Sequence, residues 1–155
     1  MKKAIVDLPL IYIFALIVSA LILVFGLTQV FKLKSSAEQI EIGQFKLSIE
    51  KQIDEIYNLD KGSSLEVIIP VTEKIKEVCF VDNTKTLSTT NAKLGDLAFL
   101  NPSHNVFIIG EDLNSDKSFN AEHLKPDISP ICFSTKGKLN IILENKGRYV
   151  SVDKK

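Results

Sequence analysis

The longest apolar run of the chain lies close to its N-terminus. From Leu8 to Leu27 it contains 20 residues and no charged side chain. An α-helix of that length is about 30 Å long, which is the thickness of the hydrocarbon core of a bilayer. Asp7 and Pro9 suit the first turn of a helix, and lysines follow the run at positions 32 and 34. The pattern predicts a transmembrane helix at residues 8–27.

Two other interpretations of this run can be weighed from the sequence. Val18–Ala20 has the small residues of a signal-peptidase site, but seven apolar or small residues follow it directly. A cleavable signal has a shorter apolar region, roughly 7–15 residues. A buried core helix would be apolar on one face, whereas this run is apolar on every face. A permanent membrane anchor is the favoured interpretation.

The helical pattern continues beyond the apolar run. One line of apolar residues recurs at spacings of three or four, and the sequence NLDKGSS ends the pattern. This line consists of Ile42, Phe45, Ile49, Ile53 and Ile56. A second, weaker line consists of Leu33, Ala37, Ile40 and Leu47. The pattern predicts an amphipathic stem helix at residues 35–61, whose apolar face covers the chain's own following domain, meets neighbouring subunits, or does both.

The remainder of the chain carries strand patterns. SLEVIIPV alternates apolar and polar positions, while KEVCFVD and NVFIIGE are short apolar runs. The stretch from Pro130 to Val152 resembles a three-strand meander with turns at Lys136–Gly137 and Asn145–Gly147. A short helical turn is expected at Gly95–Leu100. The predicted fold class is α+β: a long N-terminal helix, membrane-spanning and then amphipathic, followed by a small antiparallel β-sheet head of about five strands.

Three segments follow from these patterns, and they differ in charge. The N-terminal segment 1–34 carries four lysines and one aspartate, the stem 35–61 carries three lysines and six acids, and the head 62–155 is balanced. The whole chain holds 19 basic and 19 acidic side chains, and Arg148 is its single arginine. Nucleic-acid grooves need clustered Lys and Arg, so no nucleic-acid partner is expected.

Cys79 and Cys132, the two cysteines of the chain, both lie in predicted strands with a phenylalanine next to them. Their spacing does not match zinc or redox motifs. They are either two buried free thiols or one disulfide joining two strands. The disulfide is favoured if the head faces an oxidising compartment. The short tail before the apolar run is easily kept in the cytoplasm, which predicts a cytoplasmic N-terminus and an extracellular head.

Few residues suggest catalysis or metal binding. His104 and His123 have no second His or Cys at ligand spacing, and both are expected in solvent-exposed loops. Asp112, Asn114 and Asp116 match the first positions of a calcium loop, but Lys117 takes the place of its glycine and His123 that of its last glutamate. A solvated turn is the favoured interpretation of Asp112–Asp116. No catalytic residue, cofactor or metal ligand is predicted, and a non-enzymatic role is expected.

A basic N-terminus, a membrane helix that continues as an amphipathic stem, and a disulfide-bearing sheet together resemble type IV pilins and their archaeal relatives. MKKA before the apolar run is similar to the leader that a prepilin peptidase cuts, which implies cleavage after Ala4 and a new N-terminus at Ile5. Pro9 stands where bacterial pilins carry a glutamate. The features LPLIYIFALI, GQF and VCF are also similar to small uncharacterised single-pass surface proteins of archaea.

The resemblance implies a membrane-anchored extracellular structural protein, a pilin-like subunit of a surface filament or assembly. Its expected partners are the lipid bilayer, copies of itself or related pilin-like subunits, and a prepilin peptidase. Ala15 and Ser19 are small residues one helical turn apart, which would let another helix approach closely. The alternative is a monomeric membrane-anchored module whose head binds a partner or assists assembly.

Overall fold

A computed structural model describes the backbone at residues 7–110 and 118–154, and the side chains of these residues except at 7–10 and 34–38. The chain divides into two compact units, Met1–Ala37 and Glu38–Lys155. Helix α1, Asp7–Tyr57, contributes to both of them. The second unit adds, in chain order, β1 (Ser64–Pro70), β2 (Ile75–Phe80), α2 (Ala92–Leu100), β3 (Val106–Gly110), β4 (Ser118–Phe119), β5 (Ile131–Ser134), β6 (Lys138–Asn145) and β7 (Val150–Asp153).

The first unit contains a helical stretch that is apolar on all sides. Ile11–Leu33, 23 residues of α1, is long and apolar enough to cross a membrane, and none of it is buried within the protein. This stretch overlaps the predicted span 8–27 and continues to Leu33. The assignment rests on length and composition alone, and a signal sequence near an N-terminus would meet the same criterion.

The second unit buries one face of the stem. The buried stripe, defined as Ile42, Phe45, Ile49, Ile53 and Ile56, is at most 7% exposed at every position. These side chains belong to the same hydrophobic core as the inward-facing residues of both sheets. Leu33, Ile40 and Leu47, from the weaker line, are 59–68% exposed. The stripe therefore covers the chain's own sheets, as one of the two interpretations expected.

The strands form two antiparallel sheets. One has the order β1-β6-β7, and the other has the order β4-β3-β2-β5. Buried and half-buried positions alternate along β6 from Leu139 to Asn145, and Leu139, Ile141 and Leu143 point into the core. The α+β class with a long N-terminal helix and a small antiparallel β head is confirmed.

The predicted three-strand meander is wrong in one connection. β6 and β7 form the expected hairpin, with Gly147 at φ +93° in its turn. β5 instead pairs with β2 in the other sheet, and Thr135 donates its backbone N–H to the carbonyl of Lys76. Gly137, at φ +75°, lies where the chain passes from one sheet to the other. The expected single sheet of about five strands is therefore two sheets with seven strands among the described residues.

Asn145 ties the end of the stem helix to the sheet. Its Nδ2 donates to the backbone carbonyls of Ile56, Tyr57 and Leu59 at 2.8–3.0 Å. The last carbonyls of an α-helix have no partner within the helix, and leaving them buried and unbonded is costly. Only 2% of Asn145 is exposed. The sequence predicted a turn at Asn145, and through these three hydrogen bonds the same residue caps the C-terminus of α1.

Helix α2 covers a second, smaller apolar cluster. The cluster contains Cys79, Val81, Leu94, Phe107 and Ile109. Asn91 caps the helix by accepting from the backbone N–H of Leu94 at 3.3 Å. The helical turn expected at Gly95–Leu100 is thus the last six residues of a helix of nine residues.

Candidate functional site: the exposed helix face and the cysteine pair

Ala15 and Ser19 lie on the exposed surface of α1. The Ser19 hydroxyl donates to the carbonyl oxygen of Ala15 at 2.7 Å, so its hydrogen-bonding need is met within the helix. Gly26 follows Ser19 by two turns, and a Cβ placed on it would meet nothing within 4 Å. Three small residues at these spacings share a helix face and would permit close approach of another helix.

Residues at intervals of seven follow Ser19 in the sequence of α1: Gly26 and Leu33 in the first unit, and Ile40 and Leu47 in the second. The heptad line, defined as Ser19, Gly26, Leu33, Ile40 and Leu47, is exposed at every position. A seven-residue spacing of this kind is typical of helices that pack along each other with a slight supercoil. Its last three members, Leu33, Ile40 and Leu47, belong to the weaker apolar line predicted from the sequence, and Ser19 and Gly26 precede them at the same spacing.

The two cysteines lie directly opposite each other on neighbouring strands. Cys79 of β2 is paired in register with Cys132 of β5, and their sulfur atoms are at disulfide distance. Cys79 is fully buried beneath α2, whereas Cys132 is half-buried. The carboxylate of Glu77 lies within 4.8 Å of both sulfurs. Sulfurs bonded to each other cannot act as thiolate ligands, so this trio is not a metal site while the pair is oxidised.

The histidines have structural contacts. His123 is exposed as expected, with its ring stacked on Tyr57 at 3.8 Å between centroids. His104 was expected in solvent, but it is half-buried, and its Nδ1 lies 2.8 Å from the hydroxyl of Ser118. The strand β4 brings Ser118 next to the loop that carries His104, a pairing that no local pattern reveals. The Asp112–Asp116 turn lies outside the described residues.

Sequence analysis did not identify a buried carboxylate after β2. The Asp82 side chain is 1% exposed, and its Oδ1 accepts from the backbone N–H of Thr84 at 3.0 Å and from its hydroxyl at 2.6 Å. Its Oδ2 lies 3.3 Å from the ammonium of Lys85 and 3.4 Å from that of Lys125. Burial by itself raises the pKa of Asp82. The bonds from Thr84 and the two ammonium groups outweigh it and lower the pKa from 3.8 to about 2.

This lowered pKa predicts an acid-sensitive contribution to stability. Because the folded-state pKa lies below the unfolded value, the stabilisation is complete above about pH 4 and is lost as the pH falls through about 2. Asp82→Asn is expected to cost about 2 kcal/mol at pH 7 and much less at pH 2. Denaturant unfolding at both pH values tests this. Asp96→Asn, an exposed change on α2, is the control, and an equal pH-dependent loss there would contradict the assignment.

Comparisons with known proteins do not indicate a function for this chain. No family model, no curated protein and no solved structure matches this chain. The resemblance to type IV pilins therefore stays a prediction from the sequence.

Proposed function

We propose that this protein is a non-enzymatic, membrane-anchored structural protein that assembles with copies of itself or related subunits, as a pilin-like component of the cell surface. The observation that carries the proposal is the heptad line, Ser19 to Leu47, which is exposed at every position although three of its members are large and apolar. The stem's other apolar stripe is already covered by the protein's own sheets. A second helix would remove Ile40 and Leu47 from water, and the small residues Ser19 and Gly26 would let two helix backbones approach closely within a bilayer.

Anchoring is the first part of the proposal. The 23-residue stretch Ile11–Leu33 is long and apolar enough for a bilayer, and none of its residues is buried within the protein. The leader of four residues before Ile5 would be removed by a prepilin peptidase at the cytoplasmic face, as the resemblance implies.

The side of the membrane is the second part. A disulfide persists in an oxidising compartment, and the opposed sulfurs of Cys79 and Cys132 support a head on that side. The N-terminal tail of the chain would then stay in the cytoplasm. This orientation would expose the head at the cell surface, where a filament or surface assembly is built.

A monomeric anchored binding module is the second candidate. A groove beside α2, which is described below, favours it because an assembly subunit has no need of a pocket. Self-association in the membrane is the property that separates the two candidates most directly.

The test of assembly adds bulk to the small-residue face. In Ala15→Leu/Ser19→Leu, the added side chains would keep two helix backbones apart while leaving the segment apolar, so insertion persists. We expect about a tenfold loss of cross-linked dimer, which corresponds to roughly 1–2 kcal/mol of packing.

Ala20→Leu provides the matched control for that variant. Ala20 is also exposed on α1, but it points to a different side of the helix from Ala15 and Ser19. It is expected to cross-link like the wild type. Equal cross-linking of the Ala15→Leu/Ser19→Leu variant and the wild type would argue against packing through this face.

A further inference from the structure

A groove in the head lies between α2 and the loops that follow β2 and precede β3. Its volume is about 450 Å³, within the range of roughly 300–1,000 Å³ that is typical of small-molecule sites. Its apolar walls include Val81 and Phe107, which are buried, and Leu87 and Ala98, which are partly buried. The groove therefore has an apolar floor that belongs to the cluster beneath α2.

The rim of the groove combines an aromatic ring with polar groups. Phe99 lines it and is 86% exposed, so a large apolar ring is held in solvent at the mouth. Asn83, Asn101 and His104 also line the groove. An exposed ring beside a partly apolar cavity can stack on a flat apolar ligand.

The charge at the rim is positive. Lys85 lines the groove, and its side chain is 58% exposed. Lys85 and Lys125 share the single negative charge of Asp82, at 3.3 and 3.4 Å, which leaves one positive charge in surplus. No Asp or Glu is among the described residues that line the groove. Because the lysine ammonium has three donors, Lys85 can bind a second anion without leaving Asp82.

We propose that this groove binds a small amphiphilic carboxylate, with an apolar group of about the size of a benzene ring on its floor and its negative charge at Lys85. The apolar part would rest on Val81 and Phe107 and stack against Phe99, which gives affinity through burial. The ammonium of Lys85 gives the preference for an anion. This activity is separate from assembly through α1, and it holds for either candidate function.

Three probes of the same shape and different charge test the proposal. They are 4-fluorophenylacetate, 2-(4-fluorophenyl)ethanol and 2-(4-fluorophenyl)ethylamine, titrated against the full chain in zwitterionic lipid nanodiscs and followed by ¹⁹F NMR. Empty nanodiscs correct for partition into lipid. We expect saturable binding of the acid with a Kd of about 1 mM, and binding of the alcohol and the amine weaker by about threefold or more.

Two variants assign that binding to the groove. Lys85→Gln is expected to weaken binding of the acid about threefold or more, because Lys125 still pairs with Asp82 and the fold is kept. Gly95→Leu is expected to abolish binding. A Cβ at Gly95 would meet only the Thr89 methyl, at 4.0 Å, so the added side chain fills the groove without a backbone clash and suits a helix better than glycine. Lys93→Gln, an exposed change on α2 outside the groove, is the control.

Each result of these titrations either supports the proposal or overturns it. The proposal is supported if the preference for the acid is smaller in Lys85→Gln than in the wild type and is unchanged in Lys93→Gln. If Gly95→Leu loses binding of the acid while its melting temperature is unchanged or higher, the ligand binds in the groove. Equal binding of the three probes would overturn the charge argument. No saturable binding up to about 10 mM would overturn the site itself.

Discussion

Replacing Phe45 and Ile49 by serine is expected to unfold the head. Both side chains are at most 3% exposed, and they lie in the core shared by the stem and the two sheets. Phe45 also packs edge-to-face on Phe119 of β4, with 6.5 Å between the ring centroids. Truncating one large apolar side chain in a core costs about 3–5 kcal/mol, and a serine hydroxyl left there without a partner adds to the loss. The free energy of unfolding of a small domain is about 5–15 kcal/mol. The summed cost of the two substitutions therefore removes most or all of the stability of the head.

The measurement is denaturant unfolding of the full chain, monitored by circular dichroism. Ile40→Ser/Leu47→Ser is the matched control, because it makes the same kind of change on the exposed side of the same helix. It is expected to change stability by at most about 0.5 kcal/mol per site and to lower self-association. Equal losses of stability in the two double variants would show that the buried stripe does not stabilise the head.

Removing the cysteine pair is expected to have the second largest effect. Cys79→Ala/Cys132→Ala opens a link between residues separated by 53 positions. In the chain-entropy model such a link contributes about 4 kcal/mol, and measured losses are commonly about 2–4 kcal/mol. The fully buried position of Cys79 beneath α2 means that the truncated side chain also leaves a small void.

Unfolding of the wild type and the double variant under oxidising conditions gives this difference directly. Adding a reductant to the wild type is expected to reproduce most of the loss and to leave the variant unchanged. Intact-mass analysis without reductant is the decisive companion measurement. Two free thiols in the purified protein would end the disulfide argument and its support for an extracellular head.

If a fragment of the chain is used for these unfolding measurements, it has to include the stem helix. A head cut at residue 60 would lack all five side chains of the buried stripe, Ile42 to Ile56, and would expose the faces of both sheets on which they pack. It would also lack the helix end that Asn145 caps. The unit Glu38–Lys155 contains the whole of this core.

Hydrophobic periodicity predicted the features that depend on residues close together in the sequence. The apolar run, the stripe at spacings of three and four, and the hairpin of β6 and β7 all follow from side chains within a few residues of each other. For Cys79 and Cys132, a disulfide was favoured over two free thiols on condition of an oxidising compartment, and the structure pairs them in register at disulfide distance.

The features that sequence could not predict depend on distant partners. The apolar pattern of β5 would fit either sheet, and its choice of β2 over β6 depends on packing across the whole unit. Asp82 looks like an ordinary loop acid until the fold brings Lys125 to it. Asn145 looks like an exposed turn residue in the sequence, whereas the fold buries it at the end of α1.

Cross-linking of the unmodified protein on intact cells tests directly whether the protein assembles at the cell surface. A membrane-impermeant, amine-reactive cross-linker reaches lysines only on the outer side of the membrane, and the head carries many of them. At native expression levels, we expect cross-linked dimers and larger species that contain this chain. Reaction that yields only monomers would contradict assembly and favour the anchored binding module. Reaction only after lysis would contradict the extracellular head.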